Sequence, residues 1–219
     1  MDIKALVFDV YGTLFNVHSV KEKADELYPM KGDEISRQWR QKQLEYSFLR
    51  QLMGKYETFW KITEDSLRYT LKNLKLEHSS EKINALMDAY LHLSPYPEVE
   101  EVLTKLRSKR LAVFSNGSHK MLDPLIKHSG LSSLFNEIIS VDDRKQYKPT
   151  PAAYHYVLDR LELERSEILF MSSNGWDISG ARAFGFQTAW INRNQFPVEE
   201  LGLRPHSIFP DLYGILTQV

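Results

Sequence analysis

There is no cysteine anywhere in the 219 residues. Its absence excludes disulfides, thiolate metal sites and a cysteine nucleophile, and it suits a reducing compartment such as the cytoplasm. Charge of one sign is missing too: 28 basic and 29 acidic side chains leave a net charge of −1. No basic stripe therefore marks nucleic acid or an anionic membrane surface as a partner. No apolar run approaches the ~20 residues that span a bilayer. The chain opens on a strand-like segment and lacks a charged-then-apolar leader. Internal repeats and low-complexity stretches are also lacking. Together these absences predict a cytoplasmic globular protein with no membrane and no nucleic acid among its partners. A length of 219 residues suffices for one α/β domain with an inserted lobe.

What is present is a repeated design. The apolar run Ala5-Leu6-Val7-Phe8 stops at Asp9-Val10-Tyr11-Gly12-Thr13, a carboxylate followed by a tight-turn glycine and a hydroxyl. Leu111-Ala112-Val113-Phe114 ends in Ser115-Asn116-Gly117-Ser118, and Ile168-Leu169-Phe170-Met171 ends in Ser172-Ser173-Asn174-Gly175-Trp176-Asp177. Between them lies Lys148-Pro149-Thr150-Pro151. Continuous apolar runs of this length fit strands buried on both faces of a parallel sheet. Ligands of open α/β sheets bind just beyond the carboxyl ends of such strands. The pattern therefore brings one lysine and two aspartates towards one sheet edge.

Residues 16–94 read differently. Ile35, Trp39 and Tyr46 recur at helical intervals, as do Leu67, Leu71 and Leu74, with breaks at Pro29 to Gly32, near Gly54 and around His78-Ser79-Ser80. About four helices are predicted. Ser94-Pro95-Tyr96-Pro97 returns the chain to alternating strands and helices, which implies parallel βαβ units. Helices are expected from Val99 to Lys109, from an Asp123 cap with Pro124 in the first turn, from Thr150-Pro151, and from Asp177 to Phe184. Strands are expected at Leu111–Phe114, Ile138–Val141, Ile168–Met171, Thr188–Ile191 and near Ile208. The expected division is a core of residues 1–15 and 95–219, split in sequence by a helical cap of residues 16–94.

The combination of Phe8-Asp9-Val10-Tyr11-Gly12-Thr13-Leu14, Val113 to Ser118, Tyr147-Lys148-Pro149 and Ser172 to Asp177 resembles the haloacid dehalogenase superfamily, and within it the L-2-haloacid dehalogenases. The resemblance covers nearly the whole chain. It implies an α/β fold: a Rossmann-like parallel sheet core with helices on both faces and an inserted helical-bundle cap. It implies Asp9 as nucleophile, Lys148 as the cation that holds its charge, and Asn174 and Asp177 as groups positioning Lys148 and the hydrolytic water. Thr13, Tyr154 and Ser172 match positions that support the nucleophile. Trp39-Arg40-Gln41 is similar to the family's halide-binding segment, and Asn116 and the ring edge of Trp176 are the further halide contacts it suggests. Ser115 and the backbone amides of Val10 and Tyr11 are expected at the substrate carboxylate. Leu44, Phe59 and Trp60 are plausible walls from the cap. A small halogenated carboxylate is the implied substrate, and relatives often form a homodimer through the cap.

Two positions separate this chain from the superfamily's phosphatases. Those carry Asp-x-Asp, whose second carboxylate handles the proton of the leaving alcohol; here that position is Tyr11. A free tyrosine, with pKa near ~10, is a poor acid or base at neutral pH. Their acidic loop reads Gly-Asp-x-x-x-Asp, and Ser173 stands where its first Asp would hold Mg²⁺. With one carboxylate gone from each place, no cofactor and no metal are expected. The change suits the chemistry. Phosphoryl transfer must neutralise a multiply charged group, whereas a departing halide carries one charge and needs no proton. Two other readings stay open: a Mg²⁺-dependent phosphatase of the same fold, and a binding protein that has kept the fold without catalysis.

Overall fold

A computed structural model describes residues 2–219. Six strands form one sheet: β1 (Ala5–Phe8), β2 (Arg110–Ser115), β3 (Glu137–Ser140), β4 (Ile168–Ser172), β5 (Gln187–Ile191) and β6 (Ser207–Phe209), in the order β3-β2-β1-β4-β5-β6. Every pairing is parallel. The first strand is the middle of the sheet, and all four of its residues are buried. Phe8 pairs with Val113 of β2 on one side and with Met171 of β4 on the other. The chain therefore leaves three adjacent strands at nearly one level, with Asp9 beside Ser172 and with Ser115 one residue further along its strand. Strand order reverses at β1, the place where a crevice opens in doubly wound sheets.

Four helices lie between β1 and β2: α1 (Val20–Leu27), α2 (Gly32–Leu52), α3 (Phe59–Asn73) and α4 (Ser80–Ala89). They pack on one another around Ile35, Trp39, Phe59, Ile62, Leu67, Leu71, Ile83 and Leu86, all buried. Breaks fall where the prolines, glycines and serines predict, and Thr58 and Ser79 cap α3 and α4 with their hydroxyls. The outgoing and returning segments run side by side, with Phe15 bridged to Pro95 and the Asn16 amide donating to the Ser94 carbonyl.

The remaining helices are α5 (Val99–Lys105), α6 (His119–His128), α7 (Pro151–Leu161) and α8 (Gly175–Phe184). Thr150 and Pro151 open α7 as expected, and α8 ends at Gly185 in the left-handed region. Two expectations fail. Asp123-Pro124 is not a helix start, because α6 begins at His119 and carries Pro124 in its interior. An interior proline costs about 3 kcal/mol. Met121, Leu122, Leu125 and Ile126 are all buried on one face of α6, and at roughly 1.5–3 kcal/mol each their burial outweighs the proline. The first helix after the cap is also shorter than predicted, ending at Lys105 and not at Lys109.

Candidate active site

Asp9 follows β1 directly and is almost fully buried. The turn after it closes on Gly12, whose φ of +91° suits glycine and whose missing Cβ would sit 3.1 Å from the Ser173 hydroxyl. That turn puts Thr13 back over Asp9. The two carboxylate oxygens of Asp9 then meet different partners. Oδ2 accepts from the Thr13 hydroxyl at 2.8 Å, from Asn174 Nδ2 at 2.9 Å and from the Ser172 hydroxyl at 3.2 Å. Oδ1 accepts from the Lys148 ammonium at 2.9 Å.

Lys148 is 1% exposed and gives each of its three N–H groups an acceptor: Asp9 Oδ1, Asp177 Oδ2 at 2.6 Å and the Phe114 carbonyl at 3.2 Å. It is no solvated surface lysine. Asp177, in the first turn of α8, completes the set, and the Tyr154 hydroxyl donates to its Oδ1 at 2.8 Å. The buried group thus carries two negative charges and one positive. Burial pushes the Asp177 carboxyl up to about 6, and the Lys148 charge only partly opposes this. Burial also acts to lower the pKa of Lys148, but Asp177 and Asp9 outweigh it, so the ammonium is held above its ordinary value.

A pH dependence follows. Asp177 anchors Lys148 only while ionised, so kcat/KM should fall as pH drops through about 6, with the slope of one proton. The stability term runs the other way. The folded-state pKa lies above the ordinary carboxylate value near 3.8, so Asp177 favours the native state below that value and loses this contribution as pH rises through about 6. A kcat/KM profile flat down to pH 4.5 would contradict this assignment.

Beside Asp9 lies a narrow cavity with room for roughly one water molecule. Asp9, Tyr11, Arg40, Leu44, Phe59, Ser115, Asn116, Lys148, Asn174 and Trp176, all singled out by sequence, line it. Ser115 accepts from the Gly117 amide at 3.0 Å, which leaves its own proton to donate. Asn116 accepts from the Lys148 amide at 2.9 Å, which leaves its Nδ2 group free to donate elsewhere. Trp176 packs edge-on against Phe48, and its buried indole N–H has no hydrogen-bond partner. Tyr11 is buried with its ring against Phe59 and Tyr90, and burial pushes its hydroxyl well above the usual phenol range.

Two expectations need correction, those for Gln41 and Trp60. Gln41 is exposed on the outer face of α2, beside Gln38, Lys42 and Tyr69, and does not reach the cavity. Helix geometry explains this, since α2 buries positions 32, 35, 36, 39, 43 and 47 and turns 40 and 44 to the cavity, which leaves 41 on the opposite face. Tyr154 meets Asp9 only at a remove: its hydroxyl holds Asp177, which pairs with the Lys148 that faces Asp9. Trp60 lies under the Lys120 ammonium and is not a cavity wall. Val10 is fully buried and its carbonyl accepts from the amides of Thr13, Leu14 and Phe15, which leaves its amide, the group expected at the substrate carboxylate, to meet a ligand.

Two residues of the site carry no signal in the sequence. Gln43 is fully buried and bonds Arg40. Arg193, from the loop after β5, donates to the Thr13 carbonyl at 2.9 Å and pairs with Glu98 at 2.6 Å, pinning the turn that carries Thr13. Gln43 follows Trp39-Arg40-Gln41 without belonging to it, and Arg193 stands near no recognisable motif. Among the described residues, no group of three or more His, Cys, Asp or Glu side chains is placed to hold a metal ion. No helix is long and apolar enough to cross a membrane.

A buried aspartate at the end of the central parallel strand, charge-paired to a lysine and facing a narrow cavity, is an arrangement suited to nucleophilic attack by a carboxylate. Residues 3–185 match the family model for haloacid dehalogenase-like hydrolases, and the chain belongs to that family. It is 48% identical to an (S)-2-haloacid dehalogenase of Pseudomonas sp. (strain YL), over 93% of this chain and 88% of the relative. It is 45% identical to haloacetate dehalogenase H-2 of Moraxella sp. (strain B), over 98% of this chain and 96% of the relative. Its fold is similar to that of the L-2-haloacid dehalogenase of Xanthobacter autotrophicus solved with chloropropionic acid covalently bound. The TM-score is 0.91 at 38% identity, covering 97% of this chain and 96% of the other.

Proposed function

We propose that the chain is a hydrolytic dehalogenase that converts an L-2-haloalkanoic acid to the D-2-hydroxy acid and halide through an ester of Asp9. The single observation that carries this reading is the unequal setting of the two Asp9 oxygens. Oδ2 accepts three hydrogen bonds, whereas Oδ1 accepts one, from Lys148. An oxygen with two lone pairs and three donors has none left for attack. Oδ1 is the nucleophile. It attacks C2 from behind, the C2–halogen bond breaks with its electron pair leaving on the halide, and the centre inverts.

The same asymmetry serves the second step. Once Oδ1 is esterified, Oδ2 is the carbonyl oxygen. Water attacks Cγ of Asp9, and the charge that develops falls on Oδ2, where Thr13, Asn174 and Ser172 already donate. Collapse then breaks the Cγ–Oδ1 bond, and Oδ1 leaves as the hydroxyl of the product, taking up the proton that the water gave. One such preorganised donor contributes roughly 2.7–4 kcal/mol to the transition state. The attacking water must lose a proton, and Asp177, raised to about 6 and joined to Asp9 through Lys148, is suited to the base role near neutrality. Arg40, Asn116 Nδ2 and the unpartnered indole N–H of Trp176 form the halide cradle, and Ser115 with the amides of Val10 and Tyr11 receives the carboxylate.

Metal independence belongs to the proposal. The Lys148 ammonium sits between Asp9 and Asp177 and already supplies the positive charge there. The phosphatase alternative needs an acid where Tyr11 stands, and that hydroxyl is buried with its ring locked in the cap. Residues 16–94 act as the cap, and residues 1–15 and 95–219 as the core. We place the protein in the cytoplasm. As its assembly we propose a homodimer through the exposed Leu49, Met53 and Tyr69 of α2 and α3. The direct test is halide release from the two enantiomers of 2-chloropropionate, with and without EDTA. Chloride should come from the L form alone and be indifferent to chelator. Release from neither form, with Mg²⁺-dependent hydrolysis of a phosphate ester, would overturn the reading.

A further inference from the structure

Arg40 forms no ion pair among the described residues, although it is half-buried at the edge of the cavity. Its guanidinium meets only neutral acceptors: Gln43 Oε1 at 2.9 Å, the Tyr11 carbonyl at 3.3 Å and Asn174 Oδ1 at 3.5 Å. The Gln43 contact is the shortest, and Gln43 is itself held on every side. Its Oε1 also accepts from the Tyr90 hydroxyl at 3.0 Å, and its Nε2 donates to the Thr63 hydroxyl at 2.7 Å. Thr63 passes its own proton to the Phe59 carbonyl at 2.6 Å. An arginine can only donate, so the amide oxygen must face it, and the direction of the whole chain is fixed.

We infer that Gln43 is a positioning residue for halide departure: it fixes Arg40 over the cavity with a neutral acceptor and so leaves the guanidinium's charge for the leaving ion. This rests on the dehalogenase reading above. A carboxylate at position 43 would hold Arg40 at least as firmly and would neutralise it. A merely structural role for Gln43 tolerates that exchange, because the Thr63 hydroxyl can turn to donate to a carboxylate where it now accepts from an amide. The proposed role does not tolerate it.

The experiment compares wild type with Gln43→Glu and Gln43→Met for kcat/KM on L-2-chloropropionate and L-2-bromopropionate, chloride inhibition and thermal unfolding. Gln43→Glu should remain folded and lose ~100-fold or more on the chloro acid, the scale of one lost transition-state donor. The loss should be several-fold smaller on the bromo acid, because bromide departs with less help. Chloride inhibition should weaken in parallel. Gln43→Met, which removes the acceptor without adding charge, should shift the chloride-to-bromide ratio in the same direction by less. Folded variants that lose both substrates equally, or lose neither, would overturn the inference. Wild type that releases no halide would instead overturn the reading beneath it.

Discussion

Asp9→Asn should lose halide release by at least ~10⁴-fold, the scale on which removing a nucleophile acts, while the protein stays folded. Both halves follow from the contacts. An amide in place of the carboxylate keeps an oxygen for Thr13, Ser172 and Asn174 but offers no anionic Oδ1 to attack carbon. Lys148 loses one of its three acceptors and keeps Asp177 and the Phe114 carbonyl. The buried group changes from two negative charges and one positive to a balanced pair, so the usual penalty for breaking an ion pair is largely absent. Relief of the Asp9 charge should also lower the pKa of Asp177. Halide assays and thermal melts check the two halves. Activity within 10-fold of wild type would remove Asp9 from the mechanism.

Lys148→Met should damage both activity and stability. Here two buried carboxylates are left facing an apolar side chain, and an uncompensated buried charge costs about 3–5 kcal/mol. For a chain of this size that is a drop in Tm of roughly 6–20 °C. The sign of its pH dependence is diagnostic. In the variant one carboxylate relieves the repulsion by taking up a proton, so the deficit against wild type should be larger at pH 8 than at pH 5. Lys148→Arg should not rescue activity. Three acceptors surround a compact ammonium in a site that is 1% exposed, and a planar fork cannot reproduce that arrangement. A deficit independent of pH would contradict the triad.

Strand ends were the legible part of the sequence. Uninterrupted apolar runs broken by small polar residues announce parallel strands and the edge where chemistry gathers, and Asp9, Ser115 and Ser172 stand together there. The inserted helices were legible through their 3.6-residue spacing. Burial of polar groups was not. Nothing local in Tyr147-Lys148-Pro149 says that the lysine is sealed between two aspartates, and family resemblance pointed to it. Gln41 and Gln43 look alike along the chain; only the phase of α2 decides that one faces water and the other Arg40. Pro124 is a false helix start because the four apolar residues buried around it outweigh its local preference. Arg193 acts from a loop whose approach to Thr13 depends on tertiary packing alone.

The covalent role of Asp9 is tested most directly by a single turnover in heavy-oxygen water with protein in excess over L-2-chloropropionate. Mass analysis of the peptide carrying Asp9 should then show one heavy oxygen in its carboxylate, and the D-2-hydroxy acid released should carry none. The light oxygen that leaves with the product is Oδ1, and the heavy one takes its place. Label in the product with none in Asp9 would mean that water attacks C2 directly, and the ester intermediate would be wrong.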